Sequence, residues 1–484
     1  MELDPLILSR IQFAFVVSFH AIFPVFTIGL ASFIACLEGL YLKTGNRDWE
    51  RLSKFWIQVF AVVFAMGVVS GIVMAFQFGT NWSQFAYTSA NFLGPMLSYE
   101  VLTAFFLEAA FLGVLLFGRD KVPQAVHFFS ACMVAIGTLI SAFWILSANS
   151  WLHTPQGTEI RDGVYYVMSW SEAIFNPSMK FRFTHMAMAS FLTGGFVVAG
   201  VSAWYLLRKQ DVELHRKALS MTLWLLLFLA PAQVVVGDLH GLNTFEHQPI
   251  KIAAMEGNWH TREGAPLVLF ALPDQDNQTN RFEVAIPKLA SFILTHDWNG
   301  EVLGLNEVEP EAQPPVAIVF WAFRVMVAIG FLMVLVVITG LVLRRRQAYA
   351  HTRWYLNTLR AMAITPFIAV IAGWFVTEIG RAPWLVYEQM THQEGLTPSL
   401  TGGMALFTLT GYILVYAIIF TAGLYYLMRV LRTGVEQRDY DYDKAGKRPK
   451  RPLSVADADW EEDSIHAGKL NVTAQDKAED QGAR

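Results

Sequence analysis

Long apolar runs, separated by short charged connections, set the pattern of this chain. A helix needs about 20 consecutive apolar residues to cross the hydrocarbon core of a bilayer. That rule marks nine spans, at 12–40, 54–75, 95–117, 125–148, 183–207, 218–237, 316–343, 357–379 and 404–430. The expected fold is all-α, a polytopic integral membrane protein with nine transmembrane helices in bundles. Residues 1–237 carry helices 1 to 6, 238–315 form a long loop, 316–432 carry helices 7 to 9, and 433–484 form a tail. No internal repeat is evident, which weakens an inverted-repeat transporter reading.

Composition agrees. Of 484 residues, 54% are hydrophobic and 16% charged, against about 25% charged in soluble domains. The net charge of -4 gives no reason to expect a nucleic-acid partner. Cys36 and Cys132 lie inside apolar runs and read as core residues, with no disulfide framework. Glu2 and Asp4, followed by a long apolar run, argue against a cleaved signal peptide.

Charge in the connections sets the orientation. Lys43, Arg47, Arg51 and Lys54 follow helix 1, Arg119 and Lys121 follow helix 3, Arg208, Lys209, Arg216 and Lys217 follow helix 5, and Arg344, Arg345, Arg346 and Arg353 follow helix 7. The intervening connection 76–94 has no Lys or Arg. The basic connections are expected in the cytoplasm, which puts the N-terminus outside and the C-terminus inside. Connections 149–182 and 238–315 then fall outside. The tail, with Lys and Arg clustered at 447–451 and many charges of both signs, is expected to be cytoplasmic and disordered.

On this topology the polar residues within the spans converge. Trp374, Glu378 and Arg381 fall at i, i+4 and i+7 and share one helix face. An ionisable residue in a membrane helix is costly and marks function by default. His20 on helix 1, Glu100 on helix 3, His185 on helix 5, Arg324 and Met326 on helix 7, and Glu378 and Arg381 on helix 8 all fall in the outer half. Haem chemistry wants such a set: His or Met as axial ligands, and Arg beside the propionates. Glu100 and Glu108 are eight residues apart, about 80° around an α-helix and roughly 12 Å along it. Two carboxylates stepped along one helix suit a proton relay. Ser141 either extends that relay or makes an ordinary interhelical hydrogen bond.

The long outer loop opens at Gly237-Asp238-Leu239-His240-Gly241 and continues through Glu246, His247, Lys251 and Glu256. These offer hydrogen-bond donors and a proton acceptor at the membrane surface, as a hydroquinone losing protons and electrons requires. Zinc held by His240, His247 and Glu246 is the weaker alternative, because the spacing matches no standard zinc pattern.

Five motifs in order carry a family resemblance: Arg10-Ile11-Gln12-Phe13-Ala14-Phe15, Phe76-Gln77-Phe78-Gly79-Thr80-Asn81-Trp82, Lys251-Ile252-Ala253-Ala254-Met255-Glu256, Phe323-Arg324-Val325-Met326 and Gly373-Trp374…Glu378…Gly380-Arg381…Pro383-Trp384. Over about residues 5–432 the chain resembles subunit I of cytochrome bd-type quinol oxidases, and within them the cyanide-insensitive branch. The resemblance implies that His185 and Met326 bind a low-spin haem b. It implies that His20 and Glu378 bind two high-spin haems, one haem b and the other haem d or a further haem b. Glu100 would stand beside those haems, Glu108 and Ser141 on the proton path, and Lys251 and Glu256 at the quinol. Trp374, Arg324, Arg381 and Arg10 would line the cofactors. Ala382 departs from the family, which usually has Gln there.

The implied function is a bacterial inner-membrane terminal oxidase. It would oxidise ubiquinol or menaquinol at the outer surface, reduce O2 to water with cytoplasmic protons, and build membrane potential without pumping. Implied partners are a subunit II, a small single-helix subunit and membrane lipid. The competing class is a proton-coupled transporter without haem.

Overall fold

The computed structural model describes residues 3–435. Residues 436–484, including the charged cluster at 447–451, lie outside the described residues. Among these residues nine helices are long and apolar enough to span a membrane: Pro5–Thr44, Arg47–Ala75, Ala90–Phe117, Gln124–His153, Met179–Arg208, Val212–His247, Val316–Arg345, Arg353–Ile379 and Gly402–Thr433. They are helices 1 to 9 below. Each covers its expected span, and most run further at their ends.

The clearest extension is helix 6. It continues past 237 to His247, because nothing in Asp238–His247 breaks a helix, and the next proline is Pro249. Pro249 instead sits in the first turn of a separate loop helix, Pro249–Glu256, where its missing N–H costs nothing. That loop helix ends at Gly257, whose φ of 65° suits glycine.

Helix 1 is the hub, packed against helices 2, 4, 5, 8 and 9. In lipid, where apolar side chains gain little from leaving one apolar phase for another, helices associate through close backbone approach at small residues. The crossing of helices 1 and 5 is such a place. A Cβ on Gly29 would lie 2.2 Å from the Ser190 carbonyl oxygen. Helix 5, with Ser190, Thr193, Gly194, Ala199, Gly200 and Ala203 buried, is the most enclosed span among the described residues.

Connections after the even-numbered helices fold together into one cap. Thr397 N–H donates to the Asn81 carbonyl at 3.0 Å, and Tyr387 N–H to the Leu152 carbonyl at 2.9 Å. Asn91 Nδ2 donates to the Tyr165 carbonyl at 3.2 Å. A two-stranded hairpin, Leu267–Asp274 with Thr279–Ile286, lies along the first turns of helix 7, with Val268 and Ala271 against Phe320. At the opposite end the odd-numbered connections meet: Lys217 pairs with Asp48 at 2.5 Å, and buried Glu38 binds Arg119 and His127. Two of the quoted motifs join at the cap end, where Gln12 Nε2 donates to Asn81 Oδ1 at 3.1 Å.

Helix 3 departs from regularity between its two carboxylates. A π-turn spans Val101–Phe105. Such a turn absorbs one extra residue, so the step from Glu100 to Glu108 becomes about seven α-helical residues, roughly 20° from a common face and not 80°.

Candidate haem and quinol site

Three of the four expected ligands, His20, His185 and Met326, each face a glycine on a neighbouring helix. A Cβ on Gly71 of helix 2 would lie 3.0 Å from His20 Cε1, and one on Gly237 of helix 6 would lie 3.4 Å from His185 Cε1. A Cβ on Gly373 of helix 8 would lie 3.1 Å from Met326 Sδ. The missing side chains are what let these groups approach the neighbouring backbones.

The hydrogen bonds at His20 fix its tautomer. Its Nδ1 lies 2.9 Å from Ser70 Oγ, and that hydroxyl donates its one proton to the Gly67 carbonyl at 2.9 Å. Ser70 therefore accepts, Nδ1 carries the hydrogen, and Nε2 keeps its lone pair for a metal. His185 sits edge-on to His240 with ring centroids 5.5 Å apart, which draws the helix 6 extension into the site. His185 Nδ1 and Trp374 Nε1 are buried without hydrogen-bond partners among the described residues.

Glu378 is the centre of a polar network. Asn149 Nδ2 donates to its Oε1 at 2.8 Å, and Arg381 Nη2 to its Oε2 at 2.6 Å. Arg381 Nη1 reaches His153 Nε2 at 2.9 Å. Across that ring, Nδ1 faces Lys251 Nζ at 3.1 Å, and Lys251 donates to Gln248 Oε1 at 2.6 Å. Lys251 is thus buried, 3% exposed, and is not open at the membrane surface where the sequence places it. The loop helix turns it inward onto the ends of helices 4 and 8. Burial, with Arg182 and Arg381 nearby, holds its amine well below the ordinary lysine range.

The other loop residue is held differently. Glu256 is buried, which raises its pKa, against the opposing pull of Arg324. Arg324 donates from Nη1 to the Met255 carbonyl, from Nη2 to Glu256 at 3.3 Å, and from Nε to the Val268 carbonyl at 3.1 Å. Its guanidinium lies 3.7 Å from the Phe320 ring centroid. The donors of Arg324 therefore clamp the loop to helix 7. Arg10 is half-buried on helix 1, within electrostatic reach of His392.

Glu100, Glu108 and Ser141 come together as a second group. Ser141 Oγ donates to Glu100 Oε1 at 2.8 Å. One turn away on helix 4, a Cβ on Gly137 would lie 2.6 Å from Glu108 Cγ. Both carboxylates thus lie along one stripe of helix 4, and Glu108 Oε1 is buried without a partner among the described residues.

These residues fit haem. Histidine nitrogens and a thioether stand at backbone gaps, while Trp374 and Arg182 each have a buried nitrogen unpartnered among the described residues. Arg182 and Arg381 are both buried, and the one carboxylate near them, Glu378, is hydrogen-bonded to Arg381. A buried charge excess of that sign calls for an anion, and propionates supply one. No cluster of three or more His, Cys, Asp or Glu side chains able to hold a metal ion occurs among the described residues, so the zinc alternative finds no support.

A membrane bundle with paired histidines, a half-buried thioether and stepped carboxylates has the make-up of a membrane redox protein. The chain belongs to the family of cytochrome bd terminal oxidase subunit I, whose model matches residues 8–435. It is 34% identical over 448 residues to the cytochrome bd ubiquinol oxidase subunit 1 of Bacillus subtilis, covering 90% of this chain and 96% of that protein. The cytochrome bd-II ubiquinol oxidase subunit 1 of Escherichia coli is 32% identical over 501 residues, covering 89% and 97%. The solved bd oxidase from Geobacillus thermodenitrificans superposes with a TM-score of 0.84 at 31% identity, covering 90% of this chain and 99% of that one. The chain is a multi-pass bacterial membrane protein of the respiratory oxidase class, and the transporter reading falls.

His153, Asn149 and Arg182 are site residues that the sequence reading missed. The apolar runs end helix 4 at 148 and open helix 5 at 183, so all three fall in a loop. The i, i+4 spacing of Asn149 and His153, on a helix with no proline until Pro155, was the available signal.

Proposed function

We propose that this chain is the haem-carrying subunit of a quinol:oxygen oxidoreductase in the bacterial inner membrane. It takes electrons from ubiquinol or menaquinol at the cap and reduces O2 to water. The positive-inside rule puts the cap outside and the basic connections in the cytoplasm. His185 and Met326 would hold a low-spin haem b; His20 and Glu378 would hold the high-spin haems, one haem b and the other haem d or a further haem b. When bound, haem supplies electron transfer at a six-coordinate iron and oxygen binding at an open one.

The chain's own groups do the rest. Lys251 and Glu256 orient the quinol hydroxyls and accept their protons on the outer side. Glu108, with Glu100 and Ser141, passes protons inward from the cytoplasm. Arg182 and Arg381 balance the propionates, while Trp374 offers its indole N–H. Charge separation across the membrane follows, because quinol protons leave on one side and water's protons come from the other. Subunit II, a small single-helix subunit and lipid complete the assembly.

The observation that carries this reading is the continuous path from Lys251 in the loop through His153 and Arg381 to Glu378. Quinol chemistry and oxygen chemistry need such proximity. The test is oxygen uptake by the purified complex with ubiquinol-1 as sole donor. A KM for ubiquinol-1 raised about tenfold or more in Lys251→Met, with uptake from an artificial one-electron donor retained, supports the reading. Uptake unaffected by Lys251→Met overturns the quinol assignment.

A further inference from the structure

His153 stands between the two halves of the site, and its ring is fully enclosed. Arginine can only donate. The 2.9 Å contact from Arg381 Nη1 therefore makes His153 Nε2 the acceptor, and the ring's one hydrogen must sit on Nδ1. That hydrogen faces Gln248 Oε1 at 3.3 Å and Lys251 Nζ at 3.1 Å. Gln248 is in turn fixed from both ends: its Nε2 donates to the His153 carbonyl at 3.1 Å, and its Oε1 accepts from Lys251 at 2.6 Å. The imidazole thus closes a ring of three side chains, with one edge anchored on helix 8 and the other on the loop helix.

We infer that His153 is a positioning residue for quinol oxidation, which, pinned by Arg381 as the Nδ1–H tautomer, sets the amine of Lys251 and the amide of Gln248 for the quinol head group. This inference rests on the quinol reading of the loop. His153 touches Arg381 and lies 3.7 Å from Glu378, so a role confined to the Glu378 side is the competing account.

The physical expectation follows from what each substitution removes. Leucine fills the volume of His153 but leaves Lys251 with Gln248 as its one remaining side-chain partner and leaves Arg381 Nη1 without an acceptor. Glutamine restores both functions, since its amide oxygen can accept from Arg381 while its NH2 faces Gln248 and Lys251. The low-dielectric site makes each misplacement of Lys251 felt at the substrate.

The experiment uses the whole purified complex and compares His153→Leu, His153→Gln and Lys251→Met. His153→Leu should raise KM for ubiquinol-1 about tenfold with kcat changed less than twofold. It should keep most of its oxygen uptake with an artificial one-electron donor and an unaltered haem spectrum. His153→Gln should lie within twofold of the parent in KM. If His153→Leu leaves KM within twofold of the parent while Lys251→Met raises it, the positioning role is wrong and the quinol reading stands. If His153→Leu loses activity equally with both donors and its haem spectrum shifts, the residue serves Glu378 and the inference is overturned. If Lys251→Met itself leaves KM unchanged, the quinol reading fails, and the inference goes with it.

Discussion

Arg381 and Glu378, three residues apart at the end of helix 8, form a pair closed at 2.6 Å with the guanidinium almost wholly buried. Removing one partner of such a pair strands the other, at a cost on the order of 3 kcal/mol. Arg381→Ala should therefore lower the thermal midpoint and reduce the haem retained per chain. Arg381→Lys keeps the charge but not the planar fork, so it should fall between the two. Equal haem content in all three proteins would show that the pair does not serve a cofactor.

Met326 faces Gly373, and this contact makes a paired test. Met326→Leu conserves volume, so the core should tolerate it at under about 1.5 kcal/mol, but it removes the sulfur. The reduced low-spin haem b band should shift or vanish while the rest of the spectrum stays. Gly373→Ala introduces a Cβ 3.1 Å from the sulfur, so it should move the same band without abolishing it. Spectra and midpoint potentials identical to the parent in both variants would remove Met326 from the ligand set.

Glu108→Gln keeps shape and hydrogen-bonding capacity but cannot ionise. Turnover should drop more than tenfold, which is over about 1.4 kcal/mol on the limiting barrier. Quinol should still reduce the haems once, since that step draws no cytoplasmic proton. Full-rate turnover in the variant would place proton entry elsewhere, and missing haem would make Glu108 structural.

Arg324 binds the loop by three carbonyl or carboxylate partners, at Met255, Glu256 and Val268. Arg324→Leu should leave helix 7 intact but free the loop helix from it. Limited proteolysis should then cut within 257–315 faster than in the parent, with quinol-dependent uptake lost and artificial-donor uptake kept. Unchanged proteolysis together with altered haem spectra would assign Arg324 to a cofactor.

The spans were readable because 20 apolar residues in a row have one stable use, and each of the nine helices lies over its expected run. Reading stopped where a helix left the apolar run yet stayed folded. Asp238–His247 looks polar enough for a loop, but it continues helix 6: Asn243 and Thr244 are buried, Asn243 donates to the Pro177 carbonyl, and His240 packs on His185. His153 was hidden for the same reason at the end of helix 4. The π-turn at Val101–Phe105 leaves no local mark, since its residues are ordinary helix formers, so the shared face of Glu100 and Glu108 could not be read from spacing. His20, His185, Met326 and Glu378 were recognisable as types in an unusual place. Their neighbours Gly71, Gly237 and Gly373 were not, because the contacts between them cross from helix to helix.

The most direct measurement of the central claim is haem content with a reduced-minus-oxidised visible spectrum of the purified complex. The account predicts about three haems per chain, with a low-spin haem b component that is lost or shifted in Met326→Leu and high-spin components diminished in His20→Ala and Glu378→Ala. A colourless preparation, or one whose spectrum is indifferent to all three substitutions, would contradict it.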